Sequence, residues 1–171
     1  SNAPDRYNHL MDAGDLLRGL TKRPDAAALL GARAIRSCRQ DKSTLRSPSN
    51  RRGEAYILRS LMRPEEGETL RKVYGSQYFT IAVFAPSDER ERSLARQLAQ
   101  KTSSTEEEMR PKAIELINRD LGLAQPELSG IEAKYCLDVR STYQRADLFV
   151  SATDPEESRK AVRRFVELIF G

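Results

Sequence analysis

The sequence predicts an α/β fold, a parallel sheet with helices on both faces. Two observations point to it. Segments with apolar residues at helical spacing alternate with three short apolar runs, the pattern of strands joined by covering helices. One of those runs, YFTIAVFA (Tyr78 to Ala85), is apolar at seven of its eight positions, so a strand buried on both faces is expected there.

Each element has a local reason. In residues 7–20, Leu10, Met11, Ala13, Leu16, Leu17 and Leu20 recur at helical spacing. Pro24 and Asp25 open a second helix, PDAAALLGARAIRSCR, rich in Ala and Leu with Arg on the other face. Gln40 to Gly53 is polar, contains Pro48 and lacks periodicity, which predicts a surface loop. AYILRSL (Ala55 to Leu61) is read as the first strand. Pro64 then starts a helix with Glu65 and Glu66 at its positive end, and Gly75 closes it. After Tyr78 to Ala85, Pro86 and Ser87 break the strand, and SDERERSLARQLAQK forms a helix with Leu94 and Leu98 on one face.

Thr105 and Glu108 have capping-box spacing. Pro111 is expected to interrupt or restart the helix that follows, with Ile114, Ile117 and Leu121 facing inward. Residues 122–131 read as a loop, and ADLFVSA (Ala146 to Ala152) as the third strand. Asp154 and Pro155 open a last helix with Val162, Phe165, Val166 and Ile169 in an apolar stripe.

A chain of 171 residues fits one domain, and with 39% hydrophobic residues it can bury a core without disulfides or metal. Ser1, Asn2 and Ala3 look like the scar of tag cleavage, so the expectation is a single α/β domain over 4–171, excised from a larger protein. No apolar run reaches the roughly 18 residues of a membrane span, no secretory leader is visible, and the net charge is +4. A cytoplasmic location is expected, with no membrane partner and Cys38 and Cys136 as free thiols. One His and no Trp exclude His-based metal clusters, and His9 reads as structural.

The missing motifs are as informative. The chain contains neither GxxxxGK(S/T) nor GxGxxG, whose backbone N–H groups would cradle phosphate. It has no HxE with a later PCxxC for zinc deamination, and no GxSxG nucleophile elbow.

The segment AYILRSLMRPEEGETLRKVYG, followed by QYFTIAVFAPSDERERSLARQL, resembles P-loop nucleotide-kinase-like domains. There a strand leads into a Pro-Glu-Glu helix, and the next strand ends in a small-residue–Pro turn before an Arg-rich helix. HLMDAGDLLR, DVRSTYQRADLFV and the terminal RRFVELIFG are similar to the region preceding the deaminase domain in bacterial anti-phage dCTP deaminases, the deoxycytidylate deaminase-like defence proteins. The resemblance implies a kinase-like fold lacking its first strand and phosphate loop. That strand would lie between the strands corresponding to AYILRSL and YFTIAVFA, which exposes an unpaired edge and implies self-association. Arg59 stands where the kinases commonly carry an acidic residue, which argues against phosphoryl transfer.

The function implied is a nucleotide-binding or regulatory segment without catalytic residues or activity of its own. No cofactor is expected within it. A nucleoside triphosphate and zinc belong to the longer protein, a zinc-dependent deoxycytidine nucleotide deaminase with hydrolase chemistry. The expected partners are a nucleotide and the deaminase domain of the same chain. Two alternatives stand beside this reading: a fragment of a P-loop kinase that transfers phosphoryl groups, and a nucleic-acid-binding module using the basic loop 36–52. That loop holds six cations and one acid, but no aromatic residue interleaves them, so a nucleic-acid partner is not expected.

The resemblance makes Arg90, Arg92 and Arg96 lid-like phosphate contacts, with Arg90 and Arg92 exposed. Their competing role is surface pairing with Glu89 and Glu91. Arg59 and Arg63, at the end of the expected first strand, are phosphate candidates by position. They could instead pair with Glu65, Glu66 or Asp147. Arg140 and Arg145 flank the turn before the third strand, where phosphate contact competes with capping and packing.

Overall fold

The computed structural model describes residues 3–43, 54–123 and 137–171. It is mostly helical, with a small parallel two-stranded sheet, a loosely α/β arrangement. In chain order the elements are α1 (Ala3–Thr21), α2 (Ala26–Ser43), α3 (Pro64–Tyr74), a 3₁₀ turn (Gly75–Gln77), β1 (Ile81–Phe84), α4 (Ser87–Thr102), α5 (Glu106–Asp120), α6 (Val139–Tyr143), β2 (Leu148–Ser151) and α7 (Pro155–Phe170).

The core lies between α4 and α5. Ala95 and Leu98 of α4 meet Ala113 and Leu116 of α5, with Tyr7, Leu94 and Met109 packed around them. The small alanines let the helix backbones approach closely, so Leu98 is fully enclosed. The hairpin turns at Ser103, whose φ of 55° is the left-handed conformation common at helix ends. The capping box forms as expected: the Glu108 N–H donates to Thr105 Oγ1 and the Thr105 N–H to the Glu108 carboxylate.

Pro111 does not break α5, which runs through it. The residue is exposed and lies in the second turn, so the helix loses one donor, to the carbonyl of exposed Glu107, and continues. The inward face also differs from the expected one: Ala113 and Leu116 are buried, Ile117 and Leu121 are half-buried, and Ile114 is exposed. α6 was not anticipated; Asp138 caps it by accepting from the Ser141 N–H at 3.1 Å.

The segment expected as the first strand is not one. Residues 54–62 belong to no helix or strand, Ser60 has a φ of 64°, and Ile57 is 86% exposed. A strand needs a strand neighbour, and among the described residues none pairs with this segment; Leu58 packs instead against Gly31 of α2, and the Met62 carbonyl accepts from the Asp138 N–H. The α2 helix also runs to Ser43, four residues into the expected loop. The rest of that loop, and most of 122–131 together with Cys136, lie outside the described residues.

β1 and β2 pair in parallel with Ile81 opposite Leu148 and Phe84 opposite Ser151. The expected full burial of β1 does not hold. Ala82 is buried, but Val83 is 61% and Phe84 52% exposed. Two strands cannot cover both faces, and β1 has a partner on one edge only among the described residues. α7 packs on β2, with Phe165 edge-on to Phe79 at 5.5 Å between ring centres.

A buried polar knot ties the first helix to the third. Glu66 accepts from the Met62 N–H at 2.7 Å and the Arg63 N–H at 3.2 Å, and Arg18 of α1 lies 3.7 Å away. Arg18 and Glu66 are both enclosed, and Arg18 also pairs with Asp15 at 2.6 Å.

Candidate functional site

In parallel α/β sheets ligands collect outside the carboxyl ends of the strands. Here the two ends lie side by side, because Phe84 and Ser151 are in register and the Ala152 N–H donates to the Phe84 carbonyl at 2.7 Å. β1 runs through Ala85 and Pro86 into α4, and β2 through Thr153 and Asp154 into α7. At this rim the Ser151 and Thr153 hydroxyls are 2.8 Å apart, and Ser158 donates to the Ser151 carbonyl. Pro86 supplies no side-chain cap to α4, whereas Asp154 caps α7 by accepting from the Glu157 N–H at 2.9 Å.

The three arginines of α4 are not equivalent. Arg92 and Arg96 are four residues apart and share a face, while Arg90, two residues before Arg92, points to the other side. Arg92 is engaged by Asp88 at 3.4 Å and Glu89 at 3.5 Å, and Arg96 by Glu106 at 3.3 Å. Glu91, an expected partner of these arginines, pairs with Arg110. Arg90 is half-buried rather than exposed, because its face of α4 turns toward the end of α5. Its Nε is buried and has no hydrogen-bond partner among the described residues.

Asp120, the last residue of α5, stands near Arg90 without reaching ion-pair distance. Burial pushes its carboxyl above the ordinary carboxylate range, and the Arg90 charge pulls it partly back. A desolvated guanidinium with an open donor, beside the carboxyl end of β1, is suited to an anionic ligand.

The other candidates scatter. Arg63 is buried at the start of α3 and holds Glu65 at 3.0 Å, one of the partners weighed from sequence. Burial works to raise the Glu65 carboxyl, but the Arg63 hydrogen bond and backbone donors leave it lowered. Arg59 and Arg140 are exposed, on the 54–62 segment and α6. Arg145 pairs with Glu68. Asp147 takes Arg71, not Arg59 or Arg63, at 2.8 Å, and accepts from the Thr80 N–H at 2.8 Å. These contacts surround a small cleft of about 60 Å³ at the amino ends of the strands, lined by Leu61, Pro64, Thr142 and the Glu68–Arg145 pair. Its cations are committed to carboxylates, so it is a structural clamp. Cys38 is a free, exposed thiol, and His9 is exposed on α1.

Sequence reasoning missed Asp120, because its meeting with Arg90 depends on how α4 and α5 pack. It also missed Tyr56 and Tyr74, whose rings flank Arg39 at 5.4 Å and 5.7 Å. Among the described residues no cluster of three or more His, Cys, Asp or Glu side chains could hold a metal ion. No helix among them is long and apolar enough to cross a membrane. No family model, no curated protein and no solved structure matches the chain.

Proposed function

We propose that the chain is a P-loop-kinase-like, nucleotide-binding or regulatory segment of a deoxycytidylate- or dCTP-deaminase-like anti-phage protein, without catalysis of its own. The observation that carries this reading is the pair of parallel strands, with one β1 edge unpartnered among the described residues, leading into the helix that bears Arg90, whose buried Nε has no hydrogen-bond partner among them. The resemblance calls for a further strand beside β1, between it and the segment around Ala55 to Leu61. Among the described residues β1 has one strand partner only, and 54–62 lies outside any sheet, which leaves room for that strand.

Within this reading the α4 arginines divide their work. Arg92 neutralises Asp88 and Glu89 at the start of α4, where the helix dipole already favours those acids. Arg90 is left for the phosphates of the nucleotide, and Asp120 holds its charge in place between ligands. The Ser151 and Thr153 hydroxyls offer weaker donors on the β2 side of the same rim.

Calorimetric titration of dCTP and of ATP into the protein tests the proposal. Arg90→Ala should weaken binding tenfold or more, and Arg92→Ala or Arg96→Ala less than threefold. Equal effects at all three positions, or no heat from either nucleotide at millimolar concentration, would overturn the assignment. Turnover of ATP with deoxynucleoside monophosphates, or deamination of dCTP or dCMP, would overturn the non-catalytic part.

A further inference from the structure

Most arginines among the described residues are tied to carboxylates, including Arg18, Arg63, Arg71, Arg92, Arg119 and Arg145. The outer face of α2 is different. Arg33, Arg36 and Arg39 follow one another at three-residue spacing, are all exposed, and meet no carboxylate at ion-pair distance among the described residues. Spacing of three keeps them within one broad stripe of the helix, rising about 4.5 Å per step.

Aromatic rings stand at the end of this stripe. The Arg39 guanidinium lies over Tyr56 at 5.4 Å and Tyr74 at 5.7 Å from the ring centres. The two tyrosines come from the 54–62 segment and the end of α3, far from Arg39 in sequence. Tyr56 is further oriented by its hydroxyl, which donates to Glu54 at 2.8 Å. The objection that no aromatic interleaves the basic residues therefore applies to the linear loop but not to the folded surface.

We propose that the Arg33–Arg36–Arg39 face of α2, with Tyr56 and Tyr74, binds single-stranded nucleic acid. Guanidinium forks match backbone phosphates, and tyrosine rings offer stacking faces that every base can use. An acidic protein would satisfy the arginines and leave the rings without a role. Phosphate contacts and stacking on ring faces do not involve the sugar 2′-hydroxyl, so DNA and RNA strands of like sequence bind alike.

Fluorescence anisotropy of the full chain with labelled dT20 and rU20 tests this. Three phosphate contacts give a slope of about −2 in log affinity against log salt, a loss of roughly twentyfold between 50 and 200 mM NaCl. Arg33→Glu/Arg36→Glu should abolish most of the binding and reduce the slope to about −0.7, with an unchanged circular dichroism spectrum. Tyr56→Leu should cost fivefold or more at unchanged slope. Arg159→Glu/Arg163→Glu, on α7, should leave binding intact.

Salt-insensitive or undetectable binding would overturn the proposal. So would equal losses from the α2 and α7 reversals, which would mark a general charge effect. An inert Tyr56→Leu, or displacement of dT20 by polyglutamate at equal charge concentration, would overturn the nucleic-acid assignment and leave a plain polyanion surface.

Discussion

Replacing Glu66 by Ala removes the acceptor that holds the Met62 and Arg63 N–H groups, and takes away one of the carboxylates compensating the enclosed Arg18. Each buried donor left without a partner costs about 1–3 kcal/mol, and removing one member of a buried ion pair costs about 3–5 kcal/mol. The effects overlap in one residue, so the expected loss for Glu66→Ala is about 4 kcal/mol. Glu66→Gln keeps an acceptor oxygen at nearly the same place. Asp15 remains on Arg18 at 2.6 Å, so the expected loss is about 1 kcal/mol. Urea unfolding followed by circular dichroism reads both. With a slope near 2 kcal/mol per M, the Ala variant should lose about 2 M in midpoint and the Gln variant about 0.5 M. Equal losses for the two, or an Ala variant within 1 kcal/mol of the parent, would refute the view that this carboxylate organises the start of α3.

Three further outcomes are expected. Leu98→Ala, in the α4–α5 core, should cost about 2–5 kcal/mol in the same assay, because the surrounding helices cannot fully collapse onto the space. The Glu66 carboxyl is raised, first by burial, so the folded state holds its proton to higher pH than the unfolded chain does. Its contribution therefore makes stability fall as pH rises through the carboxylate range, and Glu66→Gln should remove that decline in midpoints measured from pH 4 to 7. Asp25 titrates in the opposite sense. The Arg23 hydrogen bond lowers it first, with Thr69 adding to the effect at 2.6 Å, so its contribution is present above the ordinary Asp range and lost as pH falls through the depressed value. Asp25→Asn should cost about 1–2 kcal/mol at pH 7 and much less at pH 3.

What was legible in the sequence was local. The Thr105–Glu108 capping box, the Asp154–Pro155 start of α7 and the Leu94–Leu98 face depend on residues three or four apart, and the structure keeps all of them. What failed depended on a neighbour distant in sequence. Ala55 to Leu61 has strand-like composition, but among the described residues it pairs with no strand and packs on α2 instead. Tyr78 to Ala85 reads as fully buried, yet only four of its residues form a strand, and a two-stranded sheet cannot cover them. The arginines show the same division. The sequence makes Arg90, Arg92 and Arg96 look alike; the fold separates them, because α5 brings Glu106 to Arg96 and Asp120 toward Arg90. Tyr56 and Tyr74 are likewise brought to Arg39 only by the docking of α2 on α3.

The most direct measurement of the central claim follows the Arg90 Nε–Hε resonance while dCTP is titrated into the ¹⁵N-labelled protein. The buried Nε has no acceptor among the described residues, so a phosphate that reaches it should move this resonance downfield with saturation. The Arg92 and Arg96 resonances should stay nearly fixed, since Asp88, Glu89 and Glu106 already hold those side chains. A stationary Arg90 signal at millimolar dCTP, or equal movement of all three, would contradict the account.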